Sequence, residues 1–169
     1  MNNLTSSLEF SHFPVMLNEV IEISSPSSGG DFIDCTFGGG GYSKAILKFP
    51  KTRVKAIDRD IKTLSIAQDF EKKFPERFRF YQVKFSQLDD ISKDNADVVI
   101  FDLGLSSIQL NDFSRGFSFK SEKKLDMKMG LNKISAFEAV NNLSELDLKL
   151  IIKILGDEKE ASLIAKNII

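Results

Sequence analysis

Short apolar runs at 31–35, 53–58, 78–83 and 96–103 alternate with stretches of helical periodicity, and this alternation limits the possible folds more than any other feature of the chain. Each run is of strand length and is bounded by turn residues. A helical segment at 43–49 separates the first two. Between the second and third, Ile61, Leu64, Ile66, Ala67, Phe70 and Phe74 recur at helical spacing over 61–74. Only a short connection precedes the fourth. The pattern predicts an α/β fold in which helices cover a parallel sheet. Right-handed crossovers would wind that sheet as in nucleotide-binding folds. The fourth run, A-D-V-V-I-F-D-L, is the most apolar and predicts a strand buried on both faces. A further helix is expected over 15–23, where apolar residues fall at 16, 17, 20, 21 and 23, and the turn-rich S-S-P-S-S-G-G ends it.

Composition removes several function classes. A chain of 169 residues can bury a core without covalent staples. With one cysteine, Cys35, and one histidine, His12, neither an internal disulfide nor a Cys/His zinc site can be assembled, and no metal is expected. Cys35 reads as a small buried strand residue, and His12 as a surface residue. Lys and Arg total 23 against 24 Asp and Glu, so no global basic field draws in nucleic acid. The first ten residues, M-N-N-L-T-S-S-L-E-F, lack a basic and apolar leader, and no run approaches a membrane span. The expectation is a soluble, cytoplasmic protein.

Chemistry gathers at the ends of the expected strands. Asp34, Asp58 and Asp102 fall at or near the C-terminal ends of three of them, the edge at which open α/β sheets bind ligands. The first strand runs into Gly38–Gly41, which opens a helix; glycines there permit positive φ and a close backbone approach, and the helix start offers free N–H groups. Asp58, ending the second strand, could accept both hydroxyls of a ribose. Glycines followed by such an acid suit either NAD or S-adenosylmethionine. The order G-G-G-G-Y-S lacks the third, helix-packing glycine of G-x-G-x-x-G and counts against NAD.

The segments H-F-P-V-M-L-N-E-V, F-I-D-C-T-F-G-G-G-G-Y-S-K-A-I-L, A-I-D-R-D, D-L-G-L-S-S-I-Q-L, R-G-F-S-F and L-D-M-K-M, in this order, resemble the ribosomal RNA small subunit methyltransferase H (MraW) family. The last helix, with G-D-E-K-E-A-S-L-I-A-K-N-I, is similar to that family as well. The resemblance implies a Rossmann-like (class I) S-adenosylmethionine-dependent methyltransferase sheet with a helical domain inserted after the fourth strand. It implies methylation of the exocyclic N4 of a cytidine in the decoding region of small-subunit ribosomal RNA. By position it assigns cofactor contacts to Gly40, Gly41, Tyr42, Asp58, Phe85, Asp102 and Gln109. Phe85 would pack on the adenine ring. Asp102 would hold the methionine amino group or stand at the target amine, and is the expected catalytic residue. Phe85 and Gln109 come from the resemblance alone. Three positions depart from the family pattern: Tyr42 replaces a common His, Cys35 a Gly, and Ile108 a Pro.

On this reading 1–104 is the first half of the cofactor-binding domain and 105–169 a loop and the start of the inserted helices, expected at 134–142, 144–155 and 157–168. The sheet would be incomplete, leaving an apolar edge open to association. Arg115, Lys120, Lys123, Lys124 and Lys128 form the one cluster suited to RNA phosphates. Phe113, Phe117 and Phe119, interleaved with it, are expected to bury against the inserted helices. Two rival readings stand beside the methyltransferase: a cofactor-binding remnant without activity, and an NAD-dependent oxidoreductase.

Overall fold

The computed structural model describes residues 14–93 and 95–169; His12 lies outside them. The chain divides into two compact units, Met1–Ile108 and Gln109–Ile169. In the first, α1 (Leu17–Ser24) precedes β1 (Gly30–Asp34), α2 (Gly41–Ile46), β2 (Thr52–Ile57), α3 (Leu64–Lys73), β3 (Phe78–Tyr81), α4 (Leu88–Ile91) and β4 (Val98–Ile100). The four strands form one parallel sheet in the order β3-β2-β1-β4. The short α5 (Ser107–Asn111) leads into the second unit.

Strand periodicity explains the two faces. Phe32 of β1, Val54 and Ala56 of β2, Phe78 of β3 and Ile100 of β4 point to one face, where they pack with Ile46, Ala67 and Phe70 from the helices. Ile33, Cys35 and Ile57 point to the other, which is covered by Val83, Leu88, Ile91 and Ala96 around α4. Phe37 joins these layers to the loop after β1. Its ring lies 5.4 Å from Phe70, 5.6 Å from Phe78 and 5.4 Å from Phe80.

The fourth strand departs from expectation. Only Val98–Ile100 pair, and they pair on one side, with β1. Among the described residues β4 is a sheet edge. Val99, on the same face as Ile33, is 42% exposed, and Phe101 and Leu103, just past the strand, are 48% and 70% exposed. An apolar run is compatible with two buried faces but does not supply the neighbours that bury them.

In the second unit, α6 (Ala136–Asn142) opens with a capping box: the Ser135 hydroxyl accepts from the Glu138 amide at 3.1 Å, and the Ser135 amide donates to the Glu138 carboxylate at 2.8 Å. In α7 (Glu145–Gly156), Ser144 is the cap, accepting from the Asp147 amide. The third helix, α8 (Ala161–Ile168), starts later than expected, because Asp157 turns left-handed (φ 48°) and ends α7. Leu148, Ala161 and Ala165 are buried where α7 and α8 meet.

Candidate functional site

The C-terminal ends of the strands are bound together by hydrogen bonds from their acids. Asp34, at the end of β1, is fully buried. It accepts from the Ser43 hydroxyl at 2.7 Å and the Thr36 amide at 3.3 Å. Burial outweighs these bonds and pushes its carboxyl up to about 6. Asp58, just past β2, accepts from the Gly38 amide at 2.7 Å and the Asp60 amide at 2.8 Å, one bond to each oxygen. Its carboxyl is also raised, again chiefly by burial. The cap of the next helical turn is Asp60, which accepts from the Lys62 amide. Asp58 therefore serves the glycine loop and its own turn rather than a helix end.

Asp102 follows β4. Its amide donates to the Thr36 hydroxyl at 2.8 Å, and its carboxylate lies 3.4 Å from the Tyr42 hydroxyl. That hydroxyl donates at 2.5 Å to the Val15 carbonyl. Burial and the Asp102 charge push the Tyr42 phenol up to about 12, so it stays a neutral donor. Cys35, beside Asp34, is buried and its thiol is pushed up to about 11, chiefly by burial, which makes it an inert packing residue.

The glycines divide the work. Gly40 needs its positive φ of 76°, and a Cβ there would stand 2.8 Å from the Phe70 ring and 2.9 Å from the Phe37 ring. At Gly41 a Cβ would meet Pro14 at 2.1 Å, so the strap at 14–16 lies directly over the loop. At Gly39 a Cβ would find nothing within 4 Å, so the outer side of the loop is open. Phe85 begins a 3-10 turn after β3, is 43% exposed, and meets Phe101 edge-on with centroids 5.6 Å apart.

The expected positions Gly40, Gly41, Tyr42, Asp58, Phe85 and Asp102 thus all lie at the C-terminal edge of the sheet. Gln109 lies on α5 at the start of the second unit and is buried. Sequence reasoning missed Thr36, Ser43, Phe101 and the 14–16 strap. For the strap a signal existed in H-F-P-V-M-L. Thr36 and Ser43 carry none, because a hydroxyl that braces a loop looks like any other loop hydroxyl.

The basic cluster is only partly free. The Arg115 guanidinium donates to the Lys128 carbonyl at 2.6 Å and stacks 5.3 Å from the Phe117 ring. Lys124 sits 5.2 Å over Phe137, and Lys128 pairs with Asp126 at 3.4 Å. Lys120 and Lys123 are exposed. Phe119 is fully exposed and Phe113 is 48% exposed, against the expected burial. Their loop holds itself through backbone bonds, such as Met127 to Arg115 at 2.8 Å, which do not require these rings.

A parallel sheet of this order, with a glycine loop after β1 and an acid after β2, is a Rossmann-like cofactor-binding sheet, of the class that S-adenosylmethionine-dependent methyltransferases use. More narrowly, the chain belongs to the MraW methylase family, whose model matches residues 9–169. It is similar to proteins named ribosomal RNA small subunit methyltransferase H. The relative from Rickettsia massiliae is 42% identical over 94% of this chain and 52% of its own length. That from Ehrlichia ruminantium is 42% identical over 94% of this chain and 54% of its own length, and that from Bartonella tribocorum 43% over 93% and 47%. The chain spans about half the length of the curated relatives it matches. Family membership sets aside the oxidoreductase reading. No helix among the described residues is long and apolar enough to cross a membrane.

Proposed function

We propose that this chain carries the cofactor-binding half of a methyltransferase that uses S-adenosylmethionine to methylate the N4 of a cytidine in small-subunit ribosomal RNA. The observation that carries the reading is the Asp58 carboxylate tied to the Gly38 amide at 2.7 Å, which joins the ribose acceptor and the glycine loop in one unit. The residues present suit the cofactor. A carboxylate has about four lone-pair sites; Asp58 accepts from the Gly38, Asp60 and Arg59 amides, which leaves acceptor capacity for a ribose hydroxyl. The open side of Gly39 lets a ligand reach the backbone, and the half-exposed Phe85 offers an apolar face to a purine.

When bound, the cofactor supplies an electrophilic methyl group on a sulfonium. In-line attack on that group is governed by positioning, which the loop bracing of Thr36, Tyr42 and Asp102 supports. The cytosine amino lone pair is delocalised into the ring and is a poor nucleophile. The Asp102 carboxylate, or a carbonyl of the 103–106 turn, would accept an amino hydrogen and localise that pair. The base must leave its stack to arrive there. Lys120 and Lys123 would contact phosphates, and Gln109 would hydrogen-bond cofactor or base.

The test is transfer of a labelled methyl group to small ribosomal subunits, beside calorimetric titration with S-adenosylmethionine. Binding with transfer is the expected result; no binding would overturn the reading. A second reading, binding without transfer, is marked by a calorimetric signal with no labelled RNA. Asp102→Asn is expected to lower transfer at least 100-fold in a competent enzyme while the protein stays folded.

A further inference from the structure

The face of the sheet that carries α4 holds a cavity at the opposite end of the strands from the glycine loop. The cavity is about 240 Å³ and is lined by Arg53, Lys55, Arg77 and Arg79, with two acids, Asp31 and Glu76, against these four cations. Strand alternation puts two of these cations there: β2 reads T-R-V-K-A-I, so Arg53 and Lys55 fall on the face of Ile57, while Val54 and Ala56 face the main core. Faces of parallel sheets are ordinarily apolar, so two cations in one strand call for a reason.

Lys55 and Arg79 are register partners on β2 and β3. Adjacent strands stand about 4.8 Å apart, and like charges directly opposite one another destabilise a sheet. The neighbouring cations are already engaged. The Arg53 guanidinium closes on Asp31 with two bonds of 2.6 Å. Arg77 caps the carbonyls of Leu47 at 3.2 Å and Phe49 at 3.0 Å. Lys55 makes a long bond of 3.3 Å to the Ser92 hydroxyl and shares Asp31 electrostatically with Arg53, and Arg79 is exposed, with a 3.5 Å contact to its neighbour's carbonyl. An anion between Lys55 and Arg79 would relieve their repulsion, and a phosphate matches the guanidinium fork.

We propose that Lys55 and Arg79 bind the phosphodiester backbone of RNA, at a contact separate from the glycine-loop site. The proposal rests on the RNA-methyltransferase reading. In a chain of net charge −1, local cation pairs of this kind have to supply the attraction to RNA.

The test compares the wild-type chain with K55Q/R79Q, and with R79Q alone, which changes one exposed side chain. Binding of a fluorescent single-stranded RNA is followed by anisotropy at several KCl concentrations. Thermal unfolding and S-adenosylmethionine calorimetry are run on the same samples. The expected result is weaker RNA binding, with a salt slope lower by about two in the double variant and about one in R79Q, while unfolding and cofactor titration stay as in wild type. Wild-type RNA affinity and slope in both variants would overturn the cation-pair proposal and leave the methyltransferase reading standing. Failure of the wild-type chain to bind RNA at all would overturn the cation-pair proposal, and the cofactor titration on the same samples reports separately on the methyltransferase reading. Polyglutamate binding that is lost in the variants, with RNA binding untouched, would overturn the proposal in favour of an acidic protein partner.

Discussion

At the scale of single residues, the site is held by carboxylates whose burial is only partly offset by their hydrogen bonds. Asp34 has the clearest consequence. Its folded carboxyl is raised to about 6, above its unfolded value of 3.8, so between those values the folded chain binds the extra proton. Stability from this group is therefore present in acid and is lost as pH rises towards 6. The full effect is about 3 kcal/mol by the usual conversion of a pKa shift to free energy. Urea unfolding of wild type and Asp34→Asn at pH 4 and pH 7 should show the variant gaining on wild type at the higher pH by an amount of that order. Equal differences at both pH values would show that Asp34 does not titrate this way. Gly41→Ala tests the strap: with Pro14 at 2.1 Å from the new methyl, 14–16 must move. The expected outcome is a cofactor affinity at least tenfold weaker by calorimetry, with a modest fall in melting temperature.

At the scale of elements, what was legible depended on where the deciding force lay. The strands β1 to β3 and all the longer helices were readable, because periodicity and turn residues are local and agree with the packing. The glycine loop, Asp58 and Asp102 were readable as strand-end positions, because the site is a property of parallel topology. The open edge of β4 was readable from the incomplete sheet, but its short length and exposed face were not, since they depend on which neighbours the strand meets. Nor was the role of Tyr42, whose hydroxyl finds Val15 and Asp102 only in three dimensions. In the helical unit, the S-x-x-E pattern before α6 forms a reciprocal cap. Ser135→Ala should lower stability by about 1 kcal/mol in chemical denaturation, provided the second unit unfolds with the first. If the two units unfold separately, the loss should fall on one transition only.

At the scale of the whole molecule, the open edge of β4 is where these 169 residues are expected to associate. Val99, Phe101 and Leu103 present apolar surface beside unpaired strand groups, an arrangement that favours association. Sedimentation of the 169-residue chain should show mass rising with concentration, and Val99→Lys should suppress the rise without lowering the melting temperature. A monomer at all concentrations would show that the edge is inert. The bond from the Asp102 amide to Thr36 joins β4 to the glycine loop across a sequence separation of 66 residues. During synthesis, β1 to β3 leave the ribosome well before this bond can close. The strand-end site is therefore among the last features of its unit to mature, and a nascent chain halted before residue 102 would carry a glycine loop without this brace.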